Sequence, residues 1–375
     1  MNSLNSDPVT ASAYSQARYK LKHTAFIELN QKAVVDTLYA NDDYQRFWGY
    51  RLLAIDGSKI RLPDTDEMMA EFGSIAYSNG KDTTVQGEHA YALASVMYDV
   101  LNRIALTAEL ASADAYEVDL AITHLAHTNA KDLLIMDRNY PSYRMLAELH
   151  RSDLDYVIRC SAASFAVARQ MLKGQGAASQ RVTLRPCAQQ APMIRELGLP
   201  QSLSVRFVRV QLDTGEWEVL VTSLWDDSQY PTEGFRELYY FRWGIETFYG
   251  LLKTRLELEN FTGIGAEAVR QDFFSTLYLS GLETLLTEPA QNQLNQKDTV
   301  HPQVVNRAVS FNAIKDQALA LLFLSELKTE ILLDRLTGLF LMNPCLERKG
   351  RNPPRSQSAS RTLLNFHKRQ KKRCF

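Results

Sequence analysis

Long apolar runs are missing from this sequence of 375 residues. The longest, from Ala318 to Leu324, has seven residues, whereas a helix needs roughly 18 to cross a bilayer. The first ten residues, MNSLNSDPVT, contain neither the basic nor the apolar region of a secretory signal. We therefore expect a cytoplasmic protein with no membrane partner.

Cysteine is also scarce, with four residues at positions 160, 187, 345 and 374. They form no CxxC pair and have no histidine at the spacing of metal ligands, which argues against a zinc site and against a disulfide framework. Hydrophobic residues make up 45% of the chain and charged residues 23%. These values are typical of globular proteins and exclude extensive intrinsic disorder.

Net charge is nearly absent, at −1, but the charges are unevenly distributed. Residues 348–375 contain ten basic side chains and no acidic ones, which leaves residues 1–347 with 32 basic against 43 acidic side chains and a net charge of −11. Such a tail is either a solvated end or a segment that contacts phosphates. By itself it indicates only a polyanionic partner.

The first half of the chain shows patterns of both strands and helices. YRLLAIDGSKIRLP indicates a strand that ends in a turn at Asp56-Gly57, and AYALASVMYDV and RIALTAELA indicate two further strands. The segments that follow predict a helix, the strand DLLIMD, a second helix and the strand DYVIRCS. This order of β-β-β-α-β-α-β predicts an α/β fold with a ribonuclease H-like mixed sheet flanked by helices.

The second half of the chain has a different pattern of apolar and polar residues. SVRFVRVQL and EWEVLVTSL, joined by DTG, predict a hairpin within a β-rich insertion, and the region after Thr232 predicts helices with breaks at Pro289 and Pro302. The predicted divisions are an N-terminal helical segment at 1–45, the first part of the core at 46–163, the insertion at 164–224, a core helix with the third acidic residue at 225–265, C-terminal helices at 266–347 and the basic tail at 348–375.

The segment LYYFRWGIETFYGLLKTRLELE is the most informative part of the sequence. On one ideal helix, four polar side chains fall within an arc of about 60°, and they are Tyr239, Arg242, Glu246 and Lys253. The opposite face is apolar, so we expect the helix to pack by that face and to present the four polar side chains outward. An ordinary amphipathic helix with an ion pair between Arg242 and Glu246 fits the same pattern.

Two aspartates end predicted strands of the core, Asp56 on the first strand and Asp137 on DLLIMD. Each by itself is compatible with a turn-forming role. In a ribonuclease H-like sheet the first and fourth strands are neighbours, so both carboxylates should emerge side by side, and a helix at that edge can add Glu246. Three carboxylates at one place suit Mg²⁺, which prefers oxygen ligands. Two such ions can assist displacement at a phosphodiester.

These residues match a known family in three places. The spacing Tyr239-x2-Arg242-x3-Glu246-x6-Lys253 resembles the YREK signature of DDE transposases from bacterial insertion sequences. IDGSKIRLPDT and MDRNY are similar to the first and second acidic motifs of that family. The likeness extends in order and spacing over roughly residues 10–345.

The resemblance implies a role for each motif residue. The metal-binding catalytic triad would be Asp56, Asp137 and Glu246, holding two Mg²⁺ ions or Mn²⁺ in their place. Tyr239, Arg242 and Lys253 would contact phosphates of the transposon end, a role that suits a hydroxyl donor, a bidentate guanidinium and an ammonium group.

The expected activity is cleavage of DNA at transposon ends followed by strand transfer into target DNA. The implied partner is double-stranded DNA, with the protein acting as a dimer or higher oligomer in association with the bacterial nucleoid. Two alternatives remain open: a hydrolytic, structure-selective nuclease on the same fold, and a DNA-binding remnant without activity. The intact acids argue against the remnant, whereas the mere 55 residues ahead of Asp56 argue for it.

Overall fold

The structure is a computed structural model that describes residues 10–77, 87–212, 214–323 and 326–347. The basic tail expected at 348–375 lies outside the described residues. In chain order the α-helices are α1 Ala11–Lys20, α2 Thr24–Leu29, α3 Asp36–Leu38, α4 Asp66–Phe72, α5 Glu117–His124, α6 Tyr143–Arg151, α7 Ala166–Leu172, α8 Ala191–Glu196, α9 Gly234–Tyr240, α10 Trp243–Gly250, α11 Ala266–Asn295, α12 Arg307–Phe323 and α13 Glu326–Met342. Two π-helical segments, Asn30–Val35 and Leu251–Arg255, and one 3-10 turn, Leu125–His127, join or extend them.

The strands are β1 Arg51–Arg61, β2 Ser74–Tyr77, β3 Gly87–Asp99, β4 Ile104–Ser112, β5 Asp132–Met136, β6 Asp155–Cys160, β7 Ser179–Leu184, β8 Leu203–Gln211, β9 Trp217–Thr222, β10 Gln303–Val304 and β11 Cys345–Leu346. The first nine form one sheet, and β10 pairs only with β11. The chain divides into two compact units: residues 41–76 with 88–254, and the described parts of 1–40, 77–87 and 255–375.

The large sheet has the order β2-β3-β1-β5-β6-β9-β8-β7, with β4 also paired to β3. Within it, β1 and β4 are antiparallel to β3, whereas β1, β5 and β6 are parallel to one another. The path β4-β3-β1-β5-β6 therefore has the strand order and directions of a ribonuclease H-like core. The predicted fold class is confirmed, including the helices that flank the sheet and the helical C-terminal part.

The strands of the insertion continue the core sheet. Strand β9 pairs antiparallel with β6 from Val157↔Thr222 to Cys160↔Val219, and β8 and β7 follow outward. Because β9 covers the free edge of β6, the predicted hairpin of β8 and β9 is bonded directly to the core. The inserted strands thus widen one sheet to nine strands.

Local sequence explains why the core elements form where they do. All five residues of β5 are buried, as expected for an apolar run with parallel neighbours on both sides. Ser142 caps the N-terminus of α6, because its hydroxyl accepts a hydrogen bond from the backbone N–H of Met145 at 3.2 Å. The buried face of α6 includes Leu146 and Leu149, so the helix covers the sheet with its apolar side.

Strand β1 does not end at Asp56-Gly57, so the turn predicted there is wrong. The strand continues to Arg61 because its antiparallel pairing with β3 runs from Leu53↔Asp99 to Arg61↔Tyr91. Pairing along that ladder outweighs the local turn tendency of the Asp-Gly dipeptide.

The predicted break at Pro289 is also wrong, because α11 runs through it from Ala266 to Asn295. Proline removes one backbone hydrogen bond from a helix, but the following turn packs into a buried cluster in which Ala290 joins Leu332, Leu336 and Phe340. The region of Pro302 does separate α11 from α12, as predicted.

Across the described part of the chain, no helix combines the length and apolar character needed to cross a membrane.

The buried histidine of α5 predicts a pH dependence of stability. His124 is 1% exposed, its Nε2 lies 3.0 Å from Ser95 Oγ, and burial lowers its pKa from 6.5 to about 4. The unfolded chain takes up this proton near pH 6.5, so stability is complete above that pH and falls as the pH drops toward 4. The maximum loss is about 3 kcal/mol.

Urea unfolding of wild type and His124→Gln, at several pH values between 7.5 and 4, measures this contribution. We expect the variant to lose less stability than wild type across the window, whatever its stability at pH 7.5. His150→Gln, at an exposed position near the end of α6, is the control and should follow the wild-type curve. Parallel curves for wild type and His124→Gln would contradict the assignment.

Candidate active site

The register of two core strands brings Asp56 and Asp137 to the same level of the sheet. The parallel pairing of β1 with β5 runs from Arg51↔Asp132 to Ile55↔Met136, which is the last pair. The next residues along the chain are Asp56, which lies within β1, and Asp137, which is the first residue after β5. This is the adjacency that the strand order predicts, although β1 itself continues beyond Asp56.

Asp56 is partly buried and lies close to a second carboxylate. Its Oδ1 accepts a hydrogen bond from the backbone N–H of Gly57 at 2.9 Å. Burial, and then the negative charge of Asp137, raise the pKa of Asp56 to about 7, against the opposing effect of Arg242. The carboxylates repel each other, so a cation bound between them would relieve an unfavourable charge interaction.

The turn after β5 fixes Asp137. Its Oδ1 accepts a hydrogen bond from the backbone N–H of Asn139 at 2.8 Å, and its carbonyl accepts from the N–H of Tyr140 at 3.3 Å. The side chain of Asn139 in turn hydrogen-bonds to Glu117. The segment MDRNY thus forms a turn that connects Asp137 to a further acidic side chain.

Glu117 is an acidic residue of the site that sequence reasoning missed. It is the first residue of α5 and is partly buried. Burial, and then the charge of Asp137, raise its pKa above the ordinary value. The available signal was Gly57, since a Cβ built there would lie 3.1 Å from Glu117 Cδ. A glycine inside a strand often marks such a close approach.

The signature segment is not one ideal helix. Helix α9 ends at Tyr240, α10 begins at Trp243, and the chain turns π-helical from Leu251 to Arg255. The side chains therefore do not advance by a constant angle. The expected exposure of Tyr239 and Arg242 is wrong, because these residues are only 3% and 4% exposed.

Three side chains of the signature segment hydrogen-bond to backbone carbonyls of the core strands. Tyr239 Oη donates to Met136 O at 3.4 Å, next to Asp137, and Tyr249 Oη donates to Asp56 O at 3.0 Å. Lys253 Nζ donates to Lys59 O at 2.6 Å. These bonds hold the segment against β1 from Asp56 to Lys59 and against the end of β5 next to Asp137.

Arg242 connects the signature segment to the acidic group electrostatically. Its Nη2 donates to Glu246 Oε1 at 2.7 Å, and its guanidinium lies 4.6 Å from the centre of the Trp243 ring. Burial by itself would lower the pKa of Arg242, but Tyr239, Glu246 and Asp56 together raise it. Arg242 therefore stays charged, with an acidic partner on its own helix and Asp56 nearby.

The structure brings some of the expected site residues together more closely than others. Asp56 and Asp137 are neighbours, whereas Glu246, with its side chain 36% exposed, is paired with Arg242. Among the described residues, no three His, Cys, Asp or Glu side chains stand close enough to hold a metal ion jointly. Glu117 acts electrostatically on Asp56, and Glu246 is linked to the aspartates through Arg242, but neither completes such a group in this conformation.

The side chains around Asp56 and Asp137 nevertheless fit a divalent cation chemically. They offer carboxylate oxygens, the ligands that Mg²⁺ and Mn²⁺ prefer in proteins. The hydroxyl of the buried Tyr140 has no hydrogen-bond partner, and the charges of Asp56, Glu117 and Asp137 all act on it. A polar occupant beside these groups would satisfy the hydroxyl and reduce the repulsion between the acids.

Comparison with known proteins adds a family match. The family model described as "Transposase DDE domain" matches residues 47–280, which is more than half of the chain. No curated protein matches the sequence. A solved structure with some likeness is a piggyBac transposase in a synaptic complex with hairpin DNA, at 10% identity and a TM-score of 0.42. The alignment covers 84% of this chain and 61% of the piggyBac chain, so this chain spans about three fifths of that length.

Proposed function

Because the chain belongs to the transposase DDE domain family, we propose that it is a DNA transposase that cleaves at transposon ends and transfers the freed strands into target DNA. We further propose that it belongs to the YREK branch of bacterial insertion sequences, on the spacing of Tyr239, Arg242, Glu246 and Lys253. Double-stranded DNA is the proposed partner. A dimer or higher oligomer would hold both ends together.

One observation carries this proposal beyond the family match. The last register pair of the parallel ladder, Ile55↔Met136, makes Asp56, within β1, a neighbour of Asp137, the first residue after β5. The charge of Asp137 contributes to the raised pKa of Asp56, which supports close approach of the two carboxylates. Paired carboxylates at this place are what metal-assisted phosphodiester chemistry requires.

Asp56, Asp137 and Glu246 are the proposed holders of two Mg²⁺ ions, for which Mn²⁺ can substitute. When bound, such a pair activates the attacking oxygen and stabilises the leaving oxygen of an in-line displacement. The chain itself keeps Asp56 and Asp137 side by side through the strand register. Tyr239 and Tyr249 hold the signature segment at that level by donating to Met136 O and Asp56 O.

Phosphate contact is the proposed role of the signature cations. Arg242 carries a fork of N–H donors beside Glu246, and Lys253 is partly exposed at the end of the same segment. We assign Tyr239 a positioning role first, because its hydroxyl is engaged with Met136 O and the residue is 3% exposed. The motif also implies that Tyr239 contacts end DNA. That contact requires DNA binding to break the hydrogen bond between the Tyr239 hydroxyl and Met136 O.

The function is tested with the purified chain, Mg²⁺ and DNA fragments that contain both flanks of its gene. We expect cuts at defined positions in the flanks and joining of the cut strands to a target plasmid. Cutting without joining would favour the structure-selective nuclease. DNA binding without cutting or joining would favour the DNA-binding remnant. Either of these two results would overturn the proposal.

Lys253→Ala is expected to weaken binding of flank DNA and to lower the slope of log K against log salt by about 0.9, the value for one lost contact with duplex DNA. The matched control is Thr254→Ala, at the next position on the same exposed segment. It should leave both quantities unchanged. Binding titrations at several salt concentrations measure the slope. A wild-type slope in Lys253→Ala would show that Lys253 does not contact a phosphate.

A further inference from the structure

We propose that Glu117 and Tyr140 form an outer shell of the divalent-cation site, where they hold a water ligand of the cation bound at Asp56 and Asp137. This inference rests on the proposed function, because it presumes a cation at the aspartate pair. It adds two residues to the site. Glu117 lies outside all three motifs, and Tyr140 is the last residue of MDRNY, the second acidic motif. Their role is to position the cation through its water.

Close approach of α5 to β1 places Glu117 beside Asp56. A Cβ on Gly57 would lie 3.1 Å from Glu117 Cδ and 3.2 Å from its Oε1, so the carboxylate packs directly against β1 and would have to shift slightly if Gly57 carried a side chain. The side chain of Asn139 hydrogen-bonds to Glu117 and thereby ties it to the turn that holds Asp137. Both contacts orient Glu117 toward the aspartate pair.

The second observation is independent of the acidic group. Tyr140 is 0% exposed, and its hydroxyl has no hydrogen-bond partner. Asp56, Glu117 and Asp137 are all among the charged groups that act on this hydroxyl. A buried hydroxyl without a partner is unfavourable, so its position beside these charges indicates a polar ligand.

Water on a cation is the occupant that fits these donors and acceptors. Mg²⁺ and Mn²⁺ bound by few carboxylates keep several waters, and each such water can donate two hydrogen bonds. Glu117 can accept one, and Tyr140 Oη can accept the other while donating its own proton to a carboxylate oxygen. Glu117 is placed in the outer shell because its carboxylate already accepts a hydrogen bond from the side chain of Asn139.

A purely structural role for Glu117 makes a different prediction. An acidic residue in the first turn of a helix interacts favourably with the helix dipole, and the bond with Asn139 could serve only to fix the turn. In that case, removing the charge of Glu117 would change the melting temperature but not the affinity for a cation. Cation affinity therefore separates the two roles.

The experiment is titration of Mn²⁺ into the full chain without DNA, followed by calorimetry. The variants are Glu117→Gln, Tyr140→Phe and Asp137→Asn. Asp119→Asn is the control, because it removes one charge from the same turn of α5 at a side chain that is 54% exposed and paired with Arg144. Melting temperatures in EDTA report on folding for every variant.

We expect Kd for Mn²⁺ to rise by about 10–100-fold in Glu117→Gln, as for other residues that orient metal ligands. A smaller rise is expected in Tyr140→Phe and none in Asp119→Asn. If Glu117→Gln and Tyr140→Phe bind Mn²⁺ like wild type while Asp137→Asn does not, the outer shell is overturned and the proposed metal site stands. Absence of Mn²⁺ binding in wild type also overturns the inference, whereas the transposase function is judged separately by end cleavage.

Discussion

Single replacement of Asp56, Asp137 or Glu246 by alanine is expected to reduce cleavage of flank DNA by about 10³-fold or more. Loss of a metal-holding carboxylate removes several kcal/mol of transition-state stabilisation, and each 1.4 kcal/mol corresponds to about tenfold in rate. Cleavage is measured on end-labelled flank DNA with Mg²⁺. The folded state should survive, because all three side chains are partly exposed.

Controls distinguish loss of chemistry from loss of charge. Glu196→Ala removes an exposed carboxylate at the end of α8 and should cleave like wild type. DNA affinity of the three triad variants should remain close to wild type. Near-normal cleavage in any one of them would exclude that residue, and Glu246 is the decisive case, because it is paired with Arg242. If Glu246→Ala cleaves normally and Glu117→Gln does not, Glu117 takes over the third acidic role.

Replacement of Arg51 by methionine is expected to destabilise the protein by about 3–5 kcal/mol. Arg51 forms a bidentate ion pair with Asp132 at the start of the β1-β5 ladder, with two N–O distances of 2.7 Å. The two residues are 5% and 2% exposed. Removal of the guanidinium leaves a buried carboxylate without its cation, which is the costly case for buried pairs.

The double variant Arg51→Met with Asp132→Leu should recover part of this loss, because it removes both buried charges. Arg181→Met is the control: it breaks the pair between Arg181 on β7 and Asp227 in the turn after β9, whose side chains are 54% and 52% exposed. Such pairs contribute at most about 1 kcal/mol. Urea unfolding followed by tryptophan fluorescence measures all four proteins, and equal stability of Arg51→Met and wild type would contradict the prediction.

The strand order of the core was predictable because each element carries its own local pattern. The all-apolar run of β5 and the Ser142 cap of α6 are sequence features with direct structural consequences. Once the elements are in the right order, the ribonuclease H-like topology makes β1 and β5 neighbours. The proximity of Asp56 and Asp137 follows from that topology and from the register at Ile55↔Met136.

Predictions from local sequence were wrong where contacts with residues distant in the sequence changed the secondary structure. The Asp56-Gly57 dipeptide favours a turn, but pairing with β3 extends β1 to Arg61. Pro289 disfavours a helix, but packing of the next turn into the cluster around Leu336 keeps α11 continuous. In both cases the stabilising contacts come from residues far away in the sequence, which a local pattern does not contain.

Sequence alone was enough to predict the fold class, the adjacency of Asp56 and Asp137, and the family to which the chain is similar. The reason is that the order of the strands and the spacing of the motifs are properties of the linear sequence. Tertiary structure alone decided that Tyr239 and Arg242 are buried, that Glu246 pairs with Arg242, and that Glu117 borders the site. The reason is physical: burial, charge pairing and the approach of α5 to Gly57 are properties of surfaces brought together by folding, and no single segment encodes them.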